Sequence, residues 1–347
     1  MTPYLATPPA TDPAQILRFR DRQFAAELLA AAIARCDLFT WLQENPDADT
    51  QTIRQHFHFA ARPTDVLLTL CRASGFISTD AEDRHRITAL AQEHLVKGSP
   101  WYLGPYYTMI QDSPVVQDYL KVLHTGRPAH WGAKQEGDDW HQSMLSEDFA
   151  RGFTTLMNCR GLAFGQTLAR ELTPLLSRRS RVLDVGGGSG IYSSTLVAAH
   201  PHLSATMLEQ APVDRIAREE IARHGLQEKV RVVTADMFHD DWPGGADILL
   251  LSNVLHDWDV PEVRALLKKS AQSLQPGGLL VIHEAFLQDD KTGPLPVAEY
   301  SALLMLISQG KCYAPSEYGA ILGELGFEAG PYQSTIADRG FMTAVKR

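Results

Sequence analysis

Apolar residues recur at helical spacing through residues 15 to 44, with Phe24, Leu28, Leu29 and Ile33 on one face and Ala between them. The pattern breaks near Asp37, so the stretch predicts closely packed helices with an interruption there. After the polar segment Asn45 to Asp49, Thr50 is placed to cap a short helix. Pro63 opens another, whose Val66, Leu67, Leu70 and Cys71 form one stripe that stops at Gly75. Phe76 to Ser78 and Arg86 to Thr88, joined by the polar turn Thr79 to Arg84, predict a small hairpin. Helix, helix, hairpin is the outline of a winged helix. Residues 99 to 160 read as helical and carry Trp101, Tyr102, Tyr106, Tyr107, Trp131 and Trp140. These aromatics are either ordinary core or the apolar wall of a small-molecule cleft. From Ser180 the pattern alternates between strand and helix. Arg181 to Val185, Ser204 to Leu208, Val230 to Thr234, Asp247 to Leu251 and Gly278 to His283 are short apolar strands, which predicts a parallel sheet covered on both faces. Phe327 to Thr335 and Phe341 to Lys346 close the chain as a hairpin on that sheet.

Composition narrows the partners. The 347 residues are 44% hydrophobic and 21% charged, ordinary for globular domains, and the formal net charge is −9. Such a balance repels a phosphate backbone unless a local patch reverses it. Between Gln51 and Leu95 the arginines and acids are equal in number; Arg62 and Arg72 are the plausible nucleic-acid contacts of the stripe helix, and the hairpin tip is acidic (Asp80, Glu82, Asp83). Nucleic acid is therefore not an expected partner, and the N-terminal helices are expected instead to bury their stripes against a second copy, giving a homodimer. No apolar run approaches the roughly 18 residues of a membrane span. Met1 to Ala14 hold no Lys or Arg, so a cytoplasmic location is expected. The four cysteines contain no CxxC pair.

The chemistry concentrates after the first strand of the alternating half. Val182-Leu183-Asp184-Val185-Gly186-Gly187-Gly188-Ser189-Gly190 places an acid at a strand end and a glycine-rich turn before a helix. A dinucleotide fingerprint begun at Gly186 requires a small residue at position 191, which is Ile. With Gly186, Gly188 and Gly190 the turn fits GxGxG, and Asp184 suits a cofactor with a cationic amino-acid end better than a pyrophosphate. That points to S-adenosylmethionine. Glu209, ending the second strand, can accept both ribose hydroxyl hydrogens; Asp236, after the third, can take the adenine amino group while Met237 covers the ring.

The fourth strand runs into Ser252-Asn253-Val254-Leu255-His256-Asp257-Trp258-Asp259. With DVGGGSG, ADMF, NVLHDWD and the Glu of VIHEAF, the sequence resembles the small-molecule O-methyltransferases typified by plant caffeate and flavonoid enzymes, acetylserotonin methyltransferase and bacterial phenazine and anthracycline enzymes. The resemblance covers roughly residues 153 to 347 in its motifs. It implies an α/β fold: a Rossmann-like S-adenosylmethionine-binding catalytic domain over 177–347, preceded by a winged-helix dimerisation domain over 1–98 and a helical linker over 99–176 that lines the substrate cleft. It also implies that His256 is the general base and Glu284 its orienting acid. Trp258 lies near the adenine and Ser252 in the cofactor site, while Met157 lies near the reacting methyl and Asp257 at the substrate. The chain departs from the plant members at Gly310-Lys311-Cys312, where Cys312 replaces a second bracketing acid, and at Met157-Asn158-Cys159-Arg160, where Arg160 is a cation able to pair with a carboxylate on substrate or cofactor.

The chemistry of that allocation stands independently. The sulfonium methyl is already electrophilic, so an enzyme has to align an oxygen with it and remove that oxygen's proton. A phenol of pKa near 10 is mostly protonated at neutral pH, and an imidazole can take the proton as transfer proceeds. A carboxylate behind the imidazole fixes its tautomer. The expected function is O-methylation of an aromatic or heteroaromatic small molecule of specialised metabolism, without a metal. The rivals are a C-methyltransferase, a non-catalytic S-adenosylmethionine-binding regulator, and a metal-dependent catechol enzyme using His239-Asp240-Asp241 or His283-Glu284.

Overall fold

The structure is a computed structural model that describes residues 3–129 and 143–347. Trp131 and Trp140 lie outside the described residues. The N-terminal helices are Ala14–Asp21 (α1), Ala25–Ala30 (α2, continuing as a π turn over Ala31–Arg35) and Leu38–Glu44 (α3). Phe24 (φ 73°) and Asp37 (φ 52°) turn left-handed between them, so the expected break at Asp37 is real and a second one precedes α2. There follow Ala48–Asp49 (β1), Thr50–Phe57 (α4), Ala61–Ala73 (α5), Ile77–Thr79 (β2) and Arg84–Ile87 (β3), the strands forming an antiparallel sheet in the order β1-β3-β2. The cap of α4 is Asp49 and not Thr50: its carboxylate accepts from the Thr52 amide (2.7 Å), which a carboxylate does better than a hydroxyl. α5 starts two residues before Pro63 and ends where Gly75 turns at φ 72°. Ala89–His94 (α6), Gly104–Thr108 (α7) and Pro114–Thr125 (α8) follow, and after them the long Glu147–Leu176 (α9).

The remainder alternates: Arg181–Val185 (β4), Ile191–Ala199 (α10), Ser204–Glu209 (β5), Val213–Arg223 (α11), Val230–Thr234 (β6), Ile248–Ser252 (β7), Val260–Ser273 (α12), Leu279–Glu284 (β8), Leu295–Ile307 (α13), Pro315–Glu324 (α14), Phe327–Ala329 (β9), Gln333–Ser334 (β10) and Gly340–Lys346 (β11). The sheet order is β10-β11-β8-β7-β4-β5-β6, with β9 also on β11; β4 to β8 pair in parallel, and β11 enters antiparallel between β8 and β10. Parallel strands carry their loops to the same edge, and this collects the C-terminal ends of β4, β5, β7 and β8.

The chain divides into two compact units. One comprises the described residues of Met1–Leu17, His141–Phe286 and Pro315–Arg347. Its core joins Leu5, Phe164 and Leu172 to the sheet side chains Val182, Met207, Leu250 and Val281. α9 and α10 approach closely because Gly161 and Gly165 carry no side chain: a Cβ would fall 2.7 Å from Ile191 Cγ2 at the first and 2.4 Å from Thr195 Oγ1 at the second. The other unit comprises Arg18–Trp140 and Leu287–Ala314, again in its described residues. There the α5 stripe is already covered by α13 of the same chain, so that stripe is not free for a second copy. Arg62 is buried and donates to the carbonyls of Gly310 (2.8 Å) and Gly126 (2.9 Å), and Arg72 donates to Thr69 and Thr79; neither is presented as a phosphate contact. Trp101, Tyr106 and Met109 are exposed, at 61, 81 and 84%, which overturns the core reading for Trp101 and Tyr106.

Candidate active site

The glycine loop after β4 is built on three left-handed residues, Gly186 (φ 68°), Gly188 (φ 59°) and Gly190 (φ 76°), a conformation that strains any residue with a Cβ. Asp184, at the strand end, is buried; Ser193 Oγ donates to its Oδ2 (2.7 Å), while its Oδ1 has no hydrogen-bond partner. Burial pushes this carboxyl up to about 6. Glu209 ends β5 half-buried and accepts from the amides of Gly188 (2.8 Å) and Gln210 (2.9 Å). Burial pushes it up to about 7. Asp236 follows β6 and accepts from the Phe238 amide (2.7 Å) and lies 2.9 Å from His239 Nδ1. Burial raises this carboxyl, and the hydrogen bonds from His239 and Phe238 outweigh it, so it sits below its ordinary value. Met237 Sδ lies 3.8 Å from where a Cβ on Gly186 would stand, so it borders the loop. Phe238 and Trp258 meet edge to face at 4.6 Å. The unpartnered Asp184 oxygen and the spare lone pairs of Glu209 fit the cationic amino-acid end and the ribose hydroxyls of S-adenosylmethionine.

Across the same strand edge, β7 ends at Ser252 and the chain turns through Asn253 (φ 54°) into a single 3-10 turn, Leu255–Asp257. Its amides are anchored by Glu284, the last residue of β8, whose Oε1 accepts from Val254 (3.2 Å), Leu255 (2.8 Å) and His256 (3.3 Å). The other oxygen, Oε2, accepts from the Tyr318 hydroxyl (3.2 Å) and lies 3.5 Å from His256 Nδ1. His256 Nε2 lies 3.8 Å from Asp257 Oδ1. Burial pushes Glu284 up to about 7. Burial, and then the charges of Arg160, Arg339 and His283, hold His256 well below its ordinary value. A neutral imidazole beside an anchored carboxylate is the arrangement in which a proton can be accepted.

Residues singled out from the sequence and three that were not, Tyr192, Tyr318 and Arg339, surround this pair. His283 is fully buried with Nδ1 2.8 Å from Ser252 Oγ, and Asn253 Nδ2 donates to Tyr192 OH (2.9 Å). Ser252 is thus engaged with His283 and Asn253. Arg339 is buried, and its guanidinium lies 5.4 Å from the Phe164 ring centroid, with Arg160 5.9 Å from the same ring. Arg160 is half-buried on α9, and its charge and that of Arg339 both act on His256 and His283. Met157 stands half-buried on α9 beside Asn158, whose side chain accepts from Ser189 Oγ of the glycine loop (2.8 Å). Cys312 belongs to the second unit, where its amide donates to Ser301 Oγ (3.0 Å). Tyr318, Arg339 and Tyr192 could not be found from spacing, because each reaches the site from a different element far along the chain.

Comparison with known proteins places the chain in a family. The family model of the O-methyltransferase domain matches residues 122–328. The 3-hydroxy-5-methyl-1-naphthoate 3-O-methyltransferase of Streptomyces sahachiroi is 33% identical over 81% of this chain and 80% of its own. The L-tyrosine C(3)-methyltransferase of Streptomyces lavendulae is 26% identical over 89% and 86%. A crystal structure of an O-methyltransferase family 2 protein from Planctomyces limnophilus DSM 3776, in complex with apigenin, superposes with a TM-score of 0.87 at 28% identity, covering 99% of this chain and 98% of that one. The protein is a methyltransferase that uses S-adenosylmethionine, and the chain belongs to the O-methyltransferase family.

Proposed function

We propose that this enzyme methylates a hydroxyl of an aromatic small molecule, with His256 as general base and Glu284 as the group that orients it. The observation that carries the reading is the His256–Glu284 pair: a buried imidazole 3.5 Å from a carboxylate that three backbone amides hold in place. Asp184, Glu209, Asp236, Met237, Ser252, Trp258 and the turn of Gly186, Gly188 and Gly190 form the cofactor side. Bound S-adenosylmethionine supplies an electrophilic methyl group on a sulfonium centre. Glu284 faces Nδ1, which leaves Nε2 of His256 to take the hydroxyl proton as the oxygen attacks; the imidazolium that forms then faces the carboxylate. Met157, Arg160 and Asp257 form the substrate side, and Cys312 is kept as a substrate contact on the resemblance alone. Arg160 suits a substrate that carries a carboxylate, as the naphthoate of the Streptomyces sahachiroi enzyme does.

Oxygen is favoured over carbon as the acceptor because the more similar of the two relatives and the apigenin-bound neighbour are both O-methyltransferases. The test is transfer of a labelled methyl from S-adenosylmethionine to a panel of hydroxynaphthoates and flavonoids, with product linkage read by NMR. An O-linked product from wild type and none from His256→Ala supports the reading; a C-linked product, or an active His256→Ala, overturns it. We further propose that the helix, helix and three-stranded sheet over residues 48–87 are a winged helix of a homodimerisation domain. The exposed Trp101, Leu103, Tyr106 and Met109 supply apolar surface for a second copy. A monomeric mass by light scattering removes the homodimer.

A further inference from the structure

We infer that Tyr318 is a positioning residue for the proposed base: its hydroxyl, given to the one Glu284 oxygen that faces the imidazole, decides which nitrogen of His256 carries the proton. The inference rests on the reading of His256 as base and adds a residue from outside every motif that led to it.

Two carboxylates compete for the single proton of the neutral His256 ring. Glu284 Oε2 stands 3.5 Å from Nδ1, and Asp257 Oδ1 stands 3.8 Å from Nε2. If Nδ1 holds the proton, Nε2 keeps its lone pair and can accept from a substrate hydroxyl. If Nε2 holds it, the ring faces the substrate as a donor and is useless as a base. Arg160, Arg339 and His283 also act on the ring and oppose a second proton on it.

Glu284 prevails in this competition only while it is an acceptor. Its Oε1 is saturated by three amides, so any proton it takes goes to Oε2. Burial favours such a proton, and the group stands at about 7 even with the amide and Tyr318 hydrogen bonds holding it down. The Tyr318 hydroxyl opposes it, because its hydrogen already occupies a lone pair of Oε2 at 3.2 Å. Tyr318 is itself fixed: it is buried on α14, with its ring edge to face against Phe286 at 5.9 Å and 83°. Without that donor a neutral Glu284 turns its own hydrogen toward Nδ1, and the imidazole proton moves to Nε2, beside Asp257.

The test is the histidine side-chain 15N spectrum of the full chain at about pH 8, where Glu284 is mostly ionised in wild type, compared between wild type and Tyr318→Phe. The signal of one among 13 histidines is assigned by its loss in His256→Asn. The expected result is Nδ1–H in wild type and mostly Nε2–H in Tyr318→Phe. The same tautomer in both overturns the inference, and so does Nε2–H in wild type, a result that does not depend on the folding of Tyr318→Phe. On 3-hydroxy-1-naphthoate with S-adenosylmethionine, kcat of Tyr318→Phe is expected to fall about tenfold at unchanged KM for the cofactor. An unaltered kcat with an inactive His256→Ala overturns the role of Tyr318 alone, whereas an active His256→Ala removes the base assignment beneath it.

Discussion

Glu209 and Glu284 end parallel strands of one sheet, and burial pushes each up to about 7, yet their surroundings differ. Glu284 spends both oxygens inside the protein, on three amides, a tyrosine hydroxyl and an imidazole. Glu209 is half-buried and receives one amide on each oxygen, from Gly188 and Gln210. A carboxylate has about four acceptor sites, so Glu209 retains capacity for hydroxyls from a ligand while Glu284 has almost none. The same residue type at the same kind of position keeps acceptor capacity in one place and spends it on neighbouring groups in the other. What separates them is the number of internal donors.

The contrast predicts effects that divide cleanly between chemistry and binding. His256→Ala is expected to lower kcat by about 10²–10⁴-fold while cofactor affinity by calorimetry stays within a few-fold. Comparable loss of both would erase the division. Glu284→Gln keeps the shape but offers the amides a weaker acceptor; a fall in kcat of about tenfold to a hundredfold is expected, with the damage again absent from the cofactor titration. Glu209→Gln is the mirror case: cofactor affinity falls by about tenfold, and kcat at saturating cofactor is nearly that of wild type. A kcat effect as large as that of Glu284→Gln would show that Glu209 also serves the chemistry.

The smallest effect is in pH dependence. Burial raises Asp184 and Glu209 to about 6 and about 7, above their ordinary values, so the fold holds their protons more tightly than the unfolded chain does. Their contribution to stability is therefore present at low pH and is lost as pH rises through about 6 to 7. A cation and ribose hydroxyls favour the ionised forms. Cofactor affinity should rise by up to about tenfold between about pH 5.5 and about pH 7.5, with proton release on binding, and the cofactor-induced gain in melting temperature should grow over the same interval. Proton uptake on binding would contradict the assignment of either carboxylate to the cofactor.

Much of the fold was legible. β4 and β6 coincide with the runs Arg181 to Val185 and Val230 to Thr234, and the other parallel strands agree within a residue at each end; the central β4, β7 and β8, buried along almost their whole length, read as continuous apolar runs. The N-terminal half was less so. Asp49 takes the cap expected of Thr50, because adjacent capping residues are separated only by where the chain turns. Trp101 and Tyr106 are exposed, which their composition argued against. The α5 stripe is covered by α13, more than two hundred residues later in the chain, and no local pattern names the partner of an apolar face.

By itself the sequence determined the elements of the catalytic half and the acids of its strand ends, since strand period, glycine turns and the motif around His256 are local properties of the chain. Tertiary structure alone decided which groups complete the site. It brings Tyr318 from α14 to Glu284, places Arg339 from the last hairpin beside Phe164, and sets Tyr192 against Asn253. These pairings are contacts between elements distant in sequence, fixed by how helices and strands pack, and packing leaves no periodic signature in the residues that happen to meet.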